Sequence, residues 1–177
     1  MKTLLLLRHA KAVAHTGPSD DHDRGLSGRG QDASGDMGAY LNENGPIPDL
    51  ILCSDARRAR ETMEGVLVAL AGSPKVEMEP KLYLAEPDVI LKRLRKVDDR
   101  FEAVMIVGHN PGLEDLARDL IARPVEGAWA AVYARMSAKF PTAALAEISF
   151  DVDSWAFVDY GLGGLESFIV PRDLAKA

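Results

Sequence analysis

The feature that most constrains this chain is a run of four consecutive leucines, residues 4–7, followed directly by Arg8 and His9. A short, uninterrupted apolar run of this kind predicts a strand that is buried on both faces of a sheet. Arg8 and His9 would then stand at the carboxyl end of that strand, which is the edge where open α/β sheets bind ligands. A solvated Arg-His pair after a core strand is the alternative interpretation, and the rest of the chain decides between the two.

Two further apolar runs end in the same way. Residues 50–53 are followed by a segment that holds Ser54 and Arg58, and residues 103–107 are followed by Gly108 and His109. If these strands are parallel neighbours of the first, their carboxyl ends meet at one edge and bring two histidines and two arginines together. Because cationic groups gather only around an anion that offsets them, and because arginine binds phosphate bidentately, this pattern predicts a phosphate site.

Helical patterns alternate with these strands. Ser27 is predicted to cap a helix that runs to about Asn42, Ser54 or Asp55 to cap a second helix, and Pro87 to open a third. A fourth apolar helical stripe follows the 103–107 strand. This alternation predicts an α/β fold with three layers, α/β/α, around a mostly parallel sheet.

The sequence signal is weaker in the last third of the chain. Residues 129–133 predict a short helix or a loop. Residues 143–150 and 167–170 predict two late strands, with Trp155 and Phe157 between them and packed over the sheet.

Composition limits the classes of function that the chain can have. A length of 177 residues without a linker or a repeat predicts a single domain, residues 1–177. A net charge of −6 disfavours nucleic acid as a partner. No apolar run is long enough to span a bilayer and the start of the chain is unlike a signal peptide, so we expect a cytoplasmic protein with no membrane partner. Cys53 is the only cysteine, which excludes an intramolecular disulfide, and we expect it to be a buried structural residue.

Three motifs, in order along the chain, make the sequence resemble the histidine phosphatase superfamily, also called phosphoglycerate mutase-like. Further segments resemble its small, SixA-like branch of phosphohistidine phosphatases. The sequence departs from the commonest pattern at Ala10, where many members have glycine, although a side chain this small should still let the backbone approach a phosphate. The three motifs are LLLRHA (5–10), S-x-x-x-R-A-x-x-T (54–62) and VGHNP (107–111), and the further segments are RHAKA (8–12), RGLSGRG (24–30), LYLA (82–85) and FPTAAL (140–145).

The resemblance implies a phosphoglycerate mutase-like fold and a role for each matching residue. It implies that His9 is the nucleophile that takes the phosphoryl group, that Arg8 and Arg58 bind the phosphate, and that His109 contacts the phosphoryl oxygens. A neutral imidazole can attack phosphorus, and neighbouring arginines disfavour its protonated form. The arginines and His109 can neutralise the oxygens during transfer, so no metal and no cofactor is expected.

The substrate is less constrained. In larger members of the superfamily, inserted segments form a cap that selects small metabolites, whereas the short spacing here favours a phosphorylated protein and, first among these, phosphohistidine. The alternatives are a phosphatase for small phosphorylated metabolites and a non-catalytic module that binds phosphate or a phosphoprotein. A mutase is disfavoured because it needs a clear general acid, and Glu86 is displaced from the position where other branches carry one.

Other polar residues are expected to be solvated. The Asp-rich loop has the composition of a metal site, but a solvated loop is the favoured interpretation. Lys11 either adds charge at the mouth of the pocket or is solvated. The residues expected to be solvated are Arg57 and Arg60 of the second motif, Asp115 after the third, and Asp20, Asp21, Asp23, His15 and His22 of the Asp-rich loop.

Overall fold

The computed structural model describes residues 1–15, 20–123 and 125–175; Gly17 and Pro18 of the predicted loop lie outside these ranges. Six strands form one sheet in the order β3-β2-β4-β1-β5-β6. Among these described strands, β5 alone runs opposite to the rest, so the prediction of a mostly parallel sheet is confirmed. The strands are β1 (Lys2–Arg8), β2 (Leu50–Cys53), β3 (Lys75–Met78), β4 (Ala103–Gly108), β5 (Leu145–Phe150) and β6 (Gly164–Ile169).

Helices cover both faces of the sheet. The leucine run alternates between these faces, as the two-residue repeat of a strand requires. Leu4 and Leu6 belong to the core beneath α3 and α4, and Leu5 and Leu7 belong to the core beneath α1 and α2. The three-layer α/β/α architecture is therefore confirmed. The helices are α1 (Gly28–Asn44), α2 (Arg57–Ala69), α3 (Pro87–Leu94), α4 (Gly112–Leu120), α5 (Ala128–Ala138) and α6 (Pro171–Leu174).

One of the two predicted helix caps is confirmed and the other is wrong. The hydroxyl of Ser27 accepts a hydrogen bond from the backbone N–H of Gly30 at 3.2 Å and caps α1. The N-cap of α2 is Ala56, without a side-chain hydrogen bond, rather than Ser54 or Asp55. The reason is that the side chains of both residues are bonded to histidines of the site described below.

The last third of the chain differs most from the sequence prediction. The segment predicted as a short helix or a loop is the three-turn helix α5, and β6 begins three residues earlier than expected. Trp155 is buried as predicted, and its indole N–H donates to the carbonyl of Phe101 at 2.7 Å. Phe157 was expected to pack over the sheet, but its side chain is 68% exposed. Trp155 and Phe157 lie in one 3-10 turn, where side chains two positions apart point in different directions.

The helices of the described ranges were compared with the length and hydropathy of a membrane span. None of them is long and apolar enough to cross a membrane.

Candidate active site

The three strand ends predicted from the sequence meet at one edge of the sheet. Arg8, the last residue of β1, pairs with Gly108 at the end of β4. The backbone N–H of His9 donates to the carbonyl of Gly108 at 3.0 Å, and that of Ser54 donates to the carbonyl of Val107 at 3.0 Å. The pairing of the strands therefore holds Arg8, His9, Ser54 and the His109 segment in one layer.

His9 has a defined tautomer. Its Nδ1 lies 2.8 Å from the carbonyl oxygen of Ala10, and its Nε2 lies 3.3 Å from the Nε of Arg58. A carbonyl oxygen can only accept a hydrogen bond, and a guanidinium N–H can only donate one. Nδ1 therefore carries the proton, and Nε2 presents its lone pair toward Arg58 inside the pocket.

The electrostatics of the pocket keep His9 neutral. Burial is the main cause that lowers the pKa of His9, which falls to about 4 although the Ala10 carbonyl opposes the shift. The charges of Arg58 and Arg8 lower this pKa further, as the sequence predicted, but they are secondary to burial. An imidazole with this pKa is unprotonated near pH 7 and is available as a nucleophile.

His109 lies beside His9 with its ring 5.1 Å away, centroid to centroid. Its Nε2 is 2.8 Å from the hydroxyl of Ser54. Its pKa falls to about 3, first through burial and then through the neighbouring His9 and Arg58. Nδ1 of His109 is buried and has no hydrogen-bond partner among the described residues, which leaves one ring nitrogen for a ligand.

The two predicted arginines are both in the pocket. Arg58 is 2% exposed, and its Nη1 donates to the carbonyl of Asp21 at 2.7 Å. Arg8 donates from Nη1 to the carbonyl of Phe140 at 2.8 Å. The Nε of Arg8 is buried and is without a partner in the described part of the chain. A buried guanidinium donor with no partner is a group suited to binding an anion.

Thr62 explains the last position of the second motif. Its hydroxyl accepts the backbone N–H of Ala10 at 2.9 Å and donates to the carbonyl of Arg58 at 2.6 Å. These two bonds tie the residue after His9 to the first turn of α2. Thr62 therefore sets the position of Arg58 relative to His9 without touching either side chain.

Three residues of the pocket were missed by the sequence analysis. Asp21 accepts hydrogen bonds through Oδ2 from Nη2 of Arg58 at 3.0 Å and from the hydroxyl of Tyr83 at 2.8 Å. The ring of Tyr83 stands edge-on to that of His109 with 5.4 Å between the centroids. Arg24 binds Asp21 at 2.9 Å, and its charge lowers the pKa of His9. The signal was present, since Arg24 and Tyr83 belong to the segments RGLSGRG and LYLA.

The prediction of a solvated Asp-rich loop is wrong for Asp21 and His22. Burial acts to raise the pKa of Asp21, but the Tyr83 hydrogen bond and the charge of Arg58 outweigh it and lower the pKa. Nε2 of His22 bonds Oδ1 of Asp55 at 2.9 Å, and this bond raises the pKa of His22. The loop folds over the site because its Asp21 binds Arg58 and its His22 binds Asp55. Across the described residues, no group of three or more His, Cys, Asp or Glu could hold a metal ion.

The remaining candidates lie away from the reacting groups. Arg57 and Arg60 are exposed, as expected, and Asp115 pairs with Arg118 on α4. Glu86 is exposed at the N-cap of α3 and makes no side-chain hydrogen bond or ion pair with the described residues. Cys53 is buried, which raises the pKa of its thiol to about 12, so it is a structural residue as predicted.

Sequence comparison finds relatives that are themselves uncharacterised. No family model matches the chain. A protein of Mycobacterium tuberculosis is 35% identical over 166 residues, which cover 94% of this chain and 100% of the relative. A protein of Mycobacterium leprae is 32% identical over 169 residues, with coverage of 94% and 100%.

Solved structures share the fold over almost the whole length of both chains. A proposed phosphohistidine phosphatase SixA from Nakamurella multipartitia is 27% identical, with a TM-score of 0.82 and coverage of 96% of each chain. A second proposed SixA, from Agrobacterium tumefaciens, is 26% identical, with a TM-score of 0.78 and coverage of 96% and 98%. The protein histidine phosphatase SixA complexed with tungstate has the same fold, at a TM-score of 0.76 and 21% identity, with coverage of 97% and 99%.

Proposed function

This chain belongs to the histidine phosphatase superfamily, and we propose that it is a hydrolase that removes the phosphoryl group from phosphohistidine in proteins. The observation that carries the proposal is the unprotonated Nε2 of His9, which accepts a hydrogen bond from Nε of Arg58 at 3.3 Å in a cationic pocket. A nucleophile and an anion-binding group at this distance are what a covalent phosphoryl transfer requires. Residues 1–177 are proposed to act as one domain, since one sheet carries both parts of the core.

The reaction proceeds in two steps. Nε2 of His9 attacks phosphorus, the bond from phosphorus to the substrate nitrogen breaks, and the phosphoryl group is carried on His9. Water then attacks the phosphorus of this intermediate, the bond from phosphorus to Nε2 of His9 breaks, and inorganic phosphate and the neutral imidazole are released while the proton lost by the water passes to solvent. In both steps, Arg8, Arg58 and His109 donate hydrogen bonds to the phosphoryl oxygens. These oxygens carry the negative charge of the transferred group.

We also propose that catalysis needs no metal ion. In many phosphoryl-transfer sites a divalent cation neutralises the oxygens. Here three guanidinium groups, those of Arg8, Arg24 and Arg58, surround the nucleophile and supply this charge. Turnover should therefore be unchanged after exhaustive chelation, and a strict requirement for added metal would contradict this part of the proposal.

The choice of a protein substrate is supported by the short connections after two of the three strands whose ends form the site, while the longer connection after β1 folds over it. Only residues 54–56 separate β2 from α2, and only residues 109–111 separate β4 from α4. The chemistry of the leaving group points the same way, because an alkoxide needs a positioned acid and the side chain of Glu86 makes no hydrogen bond or ion pair with the described residues of the pocket. An imidazole is a better leaving group and can be protonated before the bond breaks.

The test compares kcat/KM for a phosphohistidine protein with that for phosphoserine and several sugar phosphates at neutral pH. General acid catalysis is worth about 10²–10⁴-fold, so we expect a preference of this order for the P–N bond. His9→Ala should abolish turnover, and Arg58→Ala should lower kcat by about 10²–10³. Arg60→Ala is the matched control, because it removes an exposed arginine from the same turn of α2 and should keep full activity.

Two results would replace the proposal. Equal or faster turnover of an unactivated alkyl phosphate would favour the phosphatase for small metabolites, and a loss of that turnover in Glu86→Gln would make Glu86 its acid. Binding of phosphate without turnover of any substrate, including an aryl phosphate, would favour the non-catalytic binding module.

A further inference from the structure

A cationic groove lies next to the candidate active site, on the same edge of the sheet. We call it the basic groove, and its cationic residues are Lys11, Arg29, Arg135, Lys139 and Arg172. It consists of a cavity of about 300 Å³ and an adjoining cavity of about 540 Å³. The two cavities share Arg29, Thr142 and Arg172, so they form one continuous trough.

The strand pairing fixes where the groove lies. β5 begins at Leu145, which pairs with Leu7 of β1 on one side and with Ile169 of β6 on the other. The segment before β5 and the segment after β6 therefore lie at the strand end that carries His9. Contact is direct, since the carbonyl of Phe140 accepts the hydrogen bond of Arg8 and Thr142 of the groove is two residues further on.

The cations of the groove are mostly without partners. The side chains of Lys11, Arg29, Lys139 and Arg172 are exposed and make no hydrogen bond or ion pair with the described residues, while Arg135 is held by Asp173 at 3.0 Å. Among the described residues, no carboxylate side chain lines the smaller cavity. The chain as a whole carries a net charge of −6, so a cluster of positive side chains is not expected from its composition. Such a field attracts a negatively charged partner.

We propose that the basic groove docks an acidic segment of the phosphoprotein substrate while its phosphohistidine enters the pocket. This inference rests on the proposed function. A polypeptide fits better than a single anion, because the trough extends over two cavities and has an apolar wall that includes Phe168 and Val170. Because Asp32 and Asp36 line the larger cavity and would repel carboxylates as well as phosphates, the acidic residues of the segment are placed in the smaller cavity.

The experiment uses two phosphohistidine peptides that differ only in one segment. In the first, the phosphohistidine is flanked by a run of Asp and Glu; in the second, that run is replaced by Asn and Gln. An aryl phosphate, which is too small to reach the groove, is the third substrate. The wild type should cleave the acidic peptide about tenfold more efficiently in kcat/KM, with a preference that falls as salt is added.

The variant Arg29→Ala/Lys139→Ala/Arg172→Ala removes three cations of the groove. It should lose the preference for the acidic peptide and should keep its turnover of the aryl phosphate. The matched control is Lys92→Ala/Lys96→Ala/Arg100→Ala, which removes three exposed cations on α3 and on its connection to β4. The control changes the net charge equally and should retain the preference.

Each possible result is decisive. Equal cleavage of both peptides by the wild type, or an unchanged preference in the groove variant, overturns the docking proposal and leaves the phosphohistidine activity standing. Loss of the preference in the control as well would show an effect of net charge and would also overturn docking. If neither peptide is cleaved while sugar phosphates are, the proposed function fails, and the docking of a phosphoprotein fails with it.

Discussion

Asp21 binds the guanidinium group of Arg58, which a phosphoryl group would have to reach in order to bind in the pocket. Its Oδ2 accepts hydrogen bonds from Arg58 at 3.0 Å and from Tyr83 at 2.8 Å, and its Oδ1 pairs with Arg24. An anion that binds against Nε2 of His9 competes with this carboxylate for Nη2 of Arg58. The same contact that orders Arg58 therefore opposes the binding of phosphate.

Replacing Asp21 with a neutral isostere should strengthen the binding of a phosphate analogue. For Asp21→Asn we expect the inhibition constant of orthovanadate to fall about fivefold, equivalent to about 1 kcal/mol for a partly exposed ion pair. Asp23→Asn is the control, because Asp23 lies in the same 3-10 turn with its side chain 78% exposed, and among the described residues its side chain pairs with His22 alone. Weaker inhibition of Asp21→Asn would mean that the carboxylate serves to position Arg58 for the anion rather than to compete with it.

At the residue scale, the sequence predicted those parts of the site that follow buried strands. His9 and His109 were found because a strand end fixes where the next side chain lies. Asp21 and Tyr83 were missed because they reach the pocket from a loop and a 3-10 turn, whose conformation depends on their partners. Ser54 was assigned to a helix cap because the sequence does not show that His109 takes its hydroxyl.

At the scale of the elements, α1 carries glycines with opposite roles. A Cβ added at Gly38 would lie 2.4 Å from the carbonyl oxygen of Val66, so this glycine lets α1 approach the backbone of α2 closely. A Cβ added at Gly35 would meet nothing within 4 Å. The sequence shows only that glycine lowers the helix propensity of α1; the packing shows which glycine is needed.

Alanine at these two positions should have opposite effects on stability. Gly35→Ala should raise the free energy of unfolding by about 0.5–1 kcal/mol, because alanine restricts the unfolded chain at no steric cost here. Gly38→Ala should lower it by about 1–3 kcal/mol, because the rigid backbone of α2 has to move. Urea unfolding of the two variants measures both, and stabilisation by Gly38→Ala would contradict the close approach of α1 to α2.

The accuracy of the element predictions follows the strength of the hydrophobic pattern. β2 was predicted at its observed bounds because a buried strand between polar segments has a clear start and end. α5 is apolar on several sides, with Met136 buried and Trp129 43% exposed, so no periodicity separated a helix from a loop. Phe157 was misplaced because hydrophobicity alone does not say which side of a tight turn faces the core.

At the scale of the whole molecule, the sequence predicted the layers but not the arrangement of strands within them. The order β3-β2-β4-β1-β5-β6 places β4 between β1 and β2, and no local pattern encodes this neighbour relation. The basic groove was hidden for the same reason. Its cations come from segments near residues 11, 29, 139 and 172, which only the complete sheet brings together.

The pocket also sets how the stability of the whole molecule depends on pH. Burial lowers the pKa of His9 to about 4 and that of His109 to about 3, whereas an unfolded histidine titrates at about 6.5. Between these values the unfolded chain binds protons that the folded chain does not. The contribution of these two histidines to the free energy of unfolding therefore falls as the pH falls from about 6.5 toward about 4, by up to about 1.4 kcal/mol per pH unit for each histidine.

This coupling between protonation and folding predicts that the inactive variant His9→Asn loses less stability in acid than the wild type does. His9→Asn should lose less stability than the wild type between about pH 7 and about pH 5, because it removes one of the protons that the unfolded state takes up. Urea unfolding at a series of pH values measures the slope for each protein. Equal slopes in His9→Asn and the wild type would show that His9 titrates alike in the folded and unfolded chains, and would contradict the lowered pKa that keeps this imidazole neutral throughout the range.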